Sequence, residues 1–379
     1  MDSDDLGNHP PSMRTLSVLT STLGRTATLI ATFAIAATTA SFAIAFVGVS
    51  QTIVFVASAI ALAAWAVLIG EGTDELGHRF GPGATGILQS ALGNMPELFI
   101  SIFALQAGLV IVVQTALIGS ILANTLLVLG LAFLAGGLRH GTQTFHAPAV
   151  RTMATLLLLA IAALAIPTLA TAPGAPDAGH AIDLSVIVSI ILLVVFVASI
   201  PFSLGGGQGA SVGDGGTPSG PAWPLPLALG VLVLGGVGAA LTSDLFVEAL
   251  RPTMASLGWS EAFVGLVVVA IAGNAVENIV GIKAAAANKM DLATSLILNS
   301  SLQIAIALTP ALVLISLFIG GGALTLVLSP LLLGAVFLAA LIATLIVFDG
   351  ESTWLEGLAL LGLYVIIAAS VWFGPPIRV

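Results

Sequence analysis

The chain has 379 residues, of which 58% are hydrophobic and only 7% charged, and its mean hydropathy is +1.16. A soluble domain is about 45–50% apolar and about 25% charged, so this chain cannot hide its apolar surface from water and reads as a multi-pass membrane protein. The net charge of −9 comes from scattered acids. With no basic patch to neutralise phosphates, nucleic acid is excluded as a partner. The absence of cysteine excludes disulfides and thiolate metal sites.

The N-terminal stretch "MDSDDLGNHPPSMR" has no basic n-region and does not read as a signal peptide. Residues 1–26 are expected to be a cytoplasmic tail and 27–51 to carry an extra first helix. Apolar runs bounded by Gly, Pro or charge predict eleven spans, at 27–47, 52–76, 84–107, 110–136, 147–168, 182–204, 225–250, 260–286, 291–318, 324–348 and 353–373. Between the sixth and seventh lies "GGGQGASVGDGGTPSGP", a Gly-rich cytoplasmic linker placed at 205–224. It separates a first five-helix unit, 52–204, from a second, 225–379. The 42 glycines leave many helix faces small enough for close backbone approach.

Basic residues orient the spans. With the N-terminus in the cytoplasm, Arg14, Arg25, Arg79, Arg139, Arg151, Lys283 and Lys289 fall inside, and only Arg251 and Arg378 outside. That is the positive-inside bias, so the expected topology is N-terminus in, C-terminus out. Short loops and the lack of a targeting segment point to a prokaryotic plasma membrane.

The two units echo each other. At an offset of 180 residues, Gly93-Asn94-x-x-Glu97 falls on Gly273-Asn274-x-x-Glu277, and Ser120 on Ser300. Glu71 and Glu75 are spaced four apart at the end of the second helix, as Asp244 and Glu248 are in the seventh. An odd number of helices per unit turns the second copy upside down. The fold class expected is an all-α integral membrane protein of one extra helix plus two inverted five-helix repeats, with substrate held near the midplane between them.

Asn94, Glu97 and Ser101 are spaced to share one helix face, and so are Asn274 and Glu277. The preceding glycine lowers helix propensity and invites a break. An isolated carboxylate at membrane depth is costly and must be protonated, paired or metal-bound. No basic residue lies at that depth, which leaves proton and cation. An all-oxygen set of two glutamates with amides, hydroxyls and carbonyls suits a hard cation such as Ca²⁺. Crowded carboxylates raise each other's proton affinity, so one site could hold a divalent cation or protons by turns. Taken singly, a Gly-Asn pair could be a packing contact and a lone glutamate a protonated helix-to-helix hydrogen bond. The recurrence in both units favours a site. The five histidines fall in tails or near helix ends.

At these residues the sequence resembles the calcium/proton exchanger family of the cation/calcium exchanger superfamily, over nearly the whole chain from about residue 52. The matching signatures are "GNMPELFISIFAL" with "ALIGSILANTLLVLG", and "GNAVENIVGIKAAAANKMDLATSLILNSSLQIAIALTP". The resemblance implies a proton-coupled Ca²⁺ antiporter without a resident cofactor, its cargo being Ca²⁺ and H⁺. It implies that Glu97 and Glu277 bind the cation and take up protons, and that oxygens around Asn94 and Asn274 complete the shell. Ser300, Gln303, Ser120 and Asn124 would line the site. Glu71 would be an acidic position on the access path, with Asp244 as its counterpart; a solvated helix end is the plainer reading of Glu71, Glu75 and Glu248. The chain departs from the family pattern at Asn278, where histidine is usual, at Asn299-Ser300, where Gly-Ser is usual, and in a linker charged only at Asp214. Sodium/calcium exchange is the neighbouring alternative and a cation channel the alternative of another class. Neither an HExxH motif nor a Cys/His pair supports an enzyme.

Overall fold

The computed structural model describes residues 11–80, 92–172, 174–175, 177–204 and 223–374, with side chains described throughout these except at 11–22, 77–80, 201–204 and 276–277. The expected linker, the first eight residues of the predicted third span and the chain ends therefore lie outside the described residues, except for Trp223 and Pro224.

The helices are α1 (Pro11–Phe46), α2 (Gln51–Phe80), α3 (Met95–Gln106), α4 (Val110–His140), α5 (Ala147–Ala170), α6 (Ala181–Leu204), α7 (Leu225–Leu257), α8 (Glu261–Gly273), α9 (Ala275–Ala286), α10 (Met290–Ile319), α11 (Pro330–Ile346) and α12 (Trp354–Phe373). Among the described residues eight helices are long and apolar enough to cross a bilayer, or nine with α8 and α9 taken as one broken span, bent by 62°. α3 and α11 are shorter apolar helices. Every predicted span contains one of these elements. A two-residue pairing of β1 (Gln143–Thr144) with β2 (Glu351–Ser352) ties the α4–α5 turn to the α11–α12 turn.

The repeat reappears in the backbone. Asn94 (φ −87°, ψ 12°) and Asn274 (φ −107°, ψ 16°) precede α3 and α9 in the same non-helical conformation. Gly108 and Asn288, again 180 apart, both leave their helices at positive φ, +73° and +60°. π-helical turns follow, at Ala123–Val128 in α4 and Ile304–Leu308 in α10. Such turns mark places where the regular ladder yields to a functional constraint.

The first helices of the two units run in opposite directions. Thr52 at the start of α2 lies 3.4 Å from Ser256 at the end of α7, while Glu75 near the end of α2 accepts from the backbone N–H of Trp223, just before α7. An inverted pair of repeats requires this.

Two expectations change. α1 begins at Pro11, inside the expected tail 1–26, because only its part from Leu23 is apolar enough to span and the run before it continues as helix across a kink at Gly24 (φ 79°, ψ 158°). The other change is in the tenth span. Residues 324–329 of the tenth predicted span are irregular, with a bend at Leu326, and α11 starts at Pro330, capped by the Ser329 hydroxyl. Proline fixes φ for a first helical turn and drives its predecessor out of the helical region. Backbone groups freed at membrane depth must find partners, and they do. The Leu324, Leu326 and Leu328 N–H groups donate to Ser316, Ser185 and Thr168, and Gln114 Nε2 donates to the Thr325 oxygen at 2.9 Å.

Candidate functional site

The site is built where two helices restart after a break. Met95, Pro96 and Glu97 are the first three residues of α3; Ala275, Val276 and Glu277 are the first three of α9. Each glutamate thus occupies the third position of a first turn, where unsatisfied N–H groups and the helix dipole favour a carboxylate. Proline within the first turn of α3 suits its lack of an N–H.

Glu97 is 1% exposed. Its Oε1 accepts a hydrogen bond of 2.6 Å from the Ser120 hydroxyl of α4, and its stem lies against Gly273 of α8. The Ser120 oxygen in turn accepts from Asn274 Nδ2 at 2.8 Å, and the same nitrogen donates to the Ala270 carbonyl at 3.0 Å. Both amide protons of Asn274 are therefore engaged, which fixes its orientation and leaves Oδ1 without a hydrogen-bond partner among the described residues. The series Asn274 to Ser120 to Glu97 crosses from the second repeat to the first. A parallel link lies one turn further along α4: Asn124 Nδ2, on the π-helical turn, donates to the Ser300 hydroxyl of α10 at 3.0 Å.

A close crossing puts these groups in reach. Added Cβ atoms at Gly119 of α4 and Gly265 of α8 would strike the Leu266 carbonyl and the Val112 carbonyl with the Thr115 hydroxyl, so the two helices meet backbone to backbone. Gly119 directly precedes Ser120, and α8 ends at the Asn274 break.

Of the residues named from sequence, Asn94, Glu97, Ser120, Asn124, Asn274, Ser300 and Gln303 are all buried. Hydrogen bonds join Glu97 with Ser120 and Asn274, and Asn124 with Ser300. Glu277 has its backbone in α9, but its side chain lies outside the described residues. Glu71 is half-buried on α2, whereas Asp244 and Glu248 stand on the exposed stripe of α7 that also carries Leu241. Two further oxygens belong to the neighbourhood. Ser101, one turn beyond Glu97, and Asn278, one turn beyond Asn274, are buried with Oγ and Oδ1 lacking hydrogen-bond partners among the described residues. The helical spacing of Ser101 was a signal for the first; Asn278 stood out only as a departure from the family pattern. Carboxylate, amide and hydroxyl oxygens are the ligand types of a hard cation. Among the described residues, which leave out the Glu277 side chain, no three His, Asp or Glu side chains cluster as a metal site.

A family model described as sodium/calcium exchanger protein matches residues 50–205 and 227–373. The chain belongs to that family of multi-pass membrane proteins, and within it to the calcium/proton exchangers. It is 36% identical over 349 residues to a Ca(2+)/H(+) antiporter of Synechocystis, covering 87% of this chain and 93% of the relative. It is also 36% identical over 323 residues to the Ca(2+)/H(+) antiporter ChaA of Bacillus subtilis, covering 84% and 91%. Among solved structures, native YfkE aligns with a TM-score of 0.77 at 33% identity, over 90% of this chain and 98% of that one. An H+/Ca2+ exchanger, CAX, shares the fold with a TM-score of 0.71 at 16% identity, over 92% of each chain.

Proposed function

We propose that this chain is a proton-coupled calcium antiporter that works by alternating access, with Glu97 and Glu277 holding Ca²⁺ or protons in turn near the membrane midplane. The observation that carries the reading is the buried series from Asn274 through Ser120 to Glu97, which joins the two repeats at an acidic side chain. The names of the relatives, Ca(2+)/H(+) antiporters from two bacteria, support the same ions. The symmetric third-position placement of Glu97 and Glu277 supports a shared role. Asn94, Asn274, Ser300, Gln303, Ser120 and Asn124 would complete the shell, with Ser101 and Asn278 added.

Glu71 and Asp244 would guard the approach from opposite sides, as first members of α2 and α7 in inverted units. The N-terminus would lie in the cytoplasm and the C-terminus outside, with units at 52–204 and 225–379 joined by a linker at 205–224.

Proteoliposomes test the reading. Calcium uptake driven by an imposed pH gradient, in sodium-free buffer, is the expected result. Uptake that needs a sodium gradient would assign sodium/calcium exchange instead. Calcium flux down its own gradient with no counter-ion would assign a channel.

A further inference from the structure

α9 is a short rod with the candidate site at one end. Glu277 stands in its first turn, and Ala285, near the other end, lies eight residues and about 12 Å further along. The chain bends by 62° between α8 and α9, so α9 does not continue the axis of the helix before it. Its position along its own axis depends on what grips the far end.

The α4–α5 turn of the first unit supplies a grip. Gln143 is 3% exposed, and its Nε2 donates to the Ala285 carbonyl at 3.1 Å and to Asn288 Oδ1 at 2.8 Å. A carbonyl only accepts, so the Ala285 oxygen decides which end of the Gln143 amide is nitrogen. The amide oxygen then lies over Gly136 of α4, where an added Cβ would strike it. Glycine leaves the notch that the amide fills. The backbone of Gln143 is held in turn, paired with Ser352 across β1 and β2, and the Phe145 N–H donates to the Gly350 carbonyl at 2.9 Å. The side chain thus reaches α9 from a fixed base.

The partner on the other side is specialised too. Asn288 has φ +60°, a left-handed backbone that asparagine tolerates at helix ends. Its N–H donates to the Ala285 carbonyl at 3.0 Å, so that one buried oxygen takes both the turn's own backbone and Gln143. The equivalent position in the first unit is Gly108, which has no side chain to offer. Two exposed contacts flank the lock: His140 Nε2 lies 3.0 Å from the Ala286 carbonyl, and Asp291 accepts from the His146 N–H. The bond to Ala285 is buried, and water cannot take its place.

We infer that Gln143 is a positioning residue for cation binding, which fixes the end of α9 remote from the site and with it the place of Glu277. The inference rests on the proposed reading of Glu277 as a ligand. Without the lock α9 takes more than one position along its axis. Apparent affinity then falls in proportion to the fraction of molecules in the binding-competent one.

Calcium titration of the monodisperse fraction in detergent tests this, with Gln143→Leu, Asn288→Gly and Asn288→Asp beside the unaltered protein and Glu277→Gln. Glycine keeps the positive φ and removes only the acceptor; aspartate keeps an acceptor oxygen. The expected result is a Kd raised several-fold in Gln143→Leu and in Asn288→Gly. Their combination should be no weaker than Gln143→Leu alone, since both remove one lock, and Asn288→Asp should stay within about twofold of the unaltered protein. Unchanged affinity in Gln143→Leu and Asn288→Gly, even with a lowered thermal midpoint, makes the lock a purely structural contact and overturns the inference. Unchanged affinity in Glu277→Gln overturns instead the reading of Glu277 as a ligand. Should Gln143→Leu fail to fold, Asn288→Gly against Asn288→Asp decides: weakening in glycine alone upholds the role of the lock, and equal affinities overturn it.

Discussion

Ser120 is the residue on which the two repeats converge. Its single hydroxyl proton goes to Glu97 and its oxygen receives Asn274. Ser120→Ala removes an acceptor and a donor at once, and each buried partner left unsatisfied costs about 1–3 kcal/mol. Since about 1.4 kcal/mol is tenfold in an equilibrium constant, calcium titration of the purified variant should give an apparent affinity about tenfold or more weaker. An unchanged affinity would reduce Ser120 to a packing contact. Glu97→Gln keeps shape and removes the charge that a divalent cation and a proton would share. It should abolish pH-gradient-driven calcium uptake in proteoliposomes while the protein still elutes as a folded species in detergent. Near wild-type exchange would remove Glu97 from the ligands.

At the scale of elements, the Gly119–Gly265 crossing sets how near α4 comes to the Asn274 break. A side chain there must push backbone rather than a flexible neighbour. Overpacking of this kind costs about 1–3 kcal/mol, occasionally more. Gly119→Leu should therefore lower the thermal unfolding midpoint in detergent and weaken calcium binding together, through displacement of Ser120. Gly334→Ala in α11, where an added Cβ meets nothing within 4 Å, should hold or raise that midpoint, because alanine is the better helix former by about 1 kcal/mol. Equal losses in both would show that the crossing is not special.

These elements also mark what the sequence reveals. The paired Gly-Asn-x-x-Glu motifs are conspicuous because polar residues are rare in an apolar chain, and they located both breaks. The irregular stretch at 324–329 reads as helix because its leucines lie in a mostly apolar run, interrupted only by Thr325 and Ser329, that carries little contrast between periods of 2 and 3.6. Its partners, Gln114, Thr168, Ser185 and Ser316, come from four different helices, a tertiary fact without local trace. The π-helical turns behind Asn124 and Gln303 leave no mark in composition either. Glu71 and Asp244 pair well in sequence, yet one is half-buried and the other exposed, since spacing along a helix does not say which neighbours close over it.

At the scale of the whole molecule, antiparallel α2 and α7 and the doubled backbone breaks make each half a rotated copy of the other. Under the alternating-access proposal, such a molecule would present one buried site to either side of the membrane in turn. If that site takes its charge from two carboxylates, protonation removes the attraction for a divalent cation. Calcium affinity should then fall as pH falls, and each bound calcium should release protons. Titration of the detergent-solubilised protein with calcium across a pH series, with proton release followed in weakly buffered solution, reads both. The expected outcome is a rising apparent Kd toward acid pH with proton release on calcium addition. Affinity that stays constant through the range where carboxylates titrate, with no proton release, would mean that calcium and protons do not compete for one site, and the coupling would have to lie elsewhere in the fold.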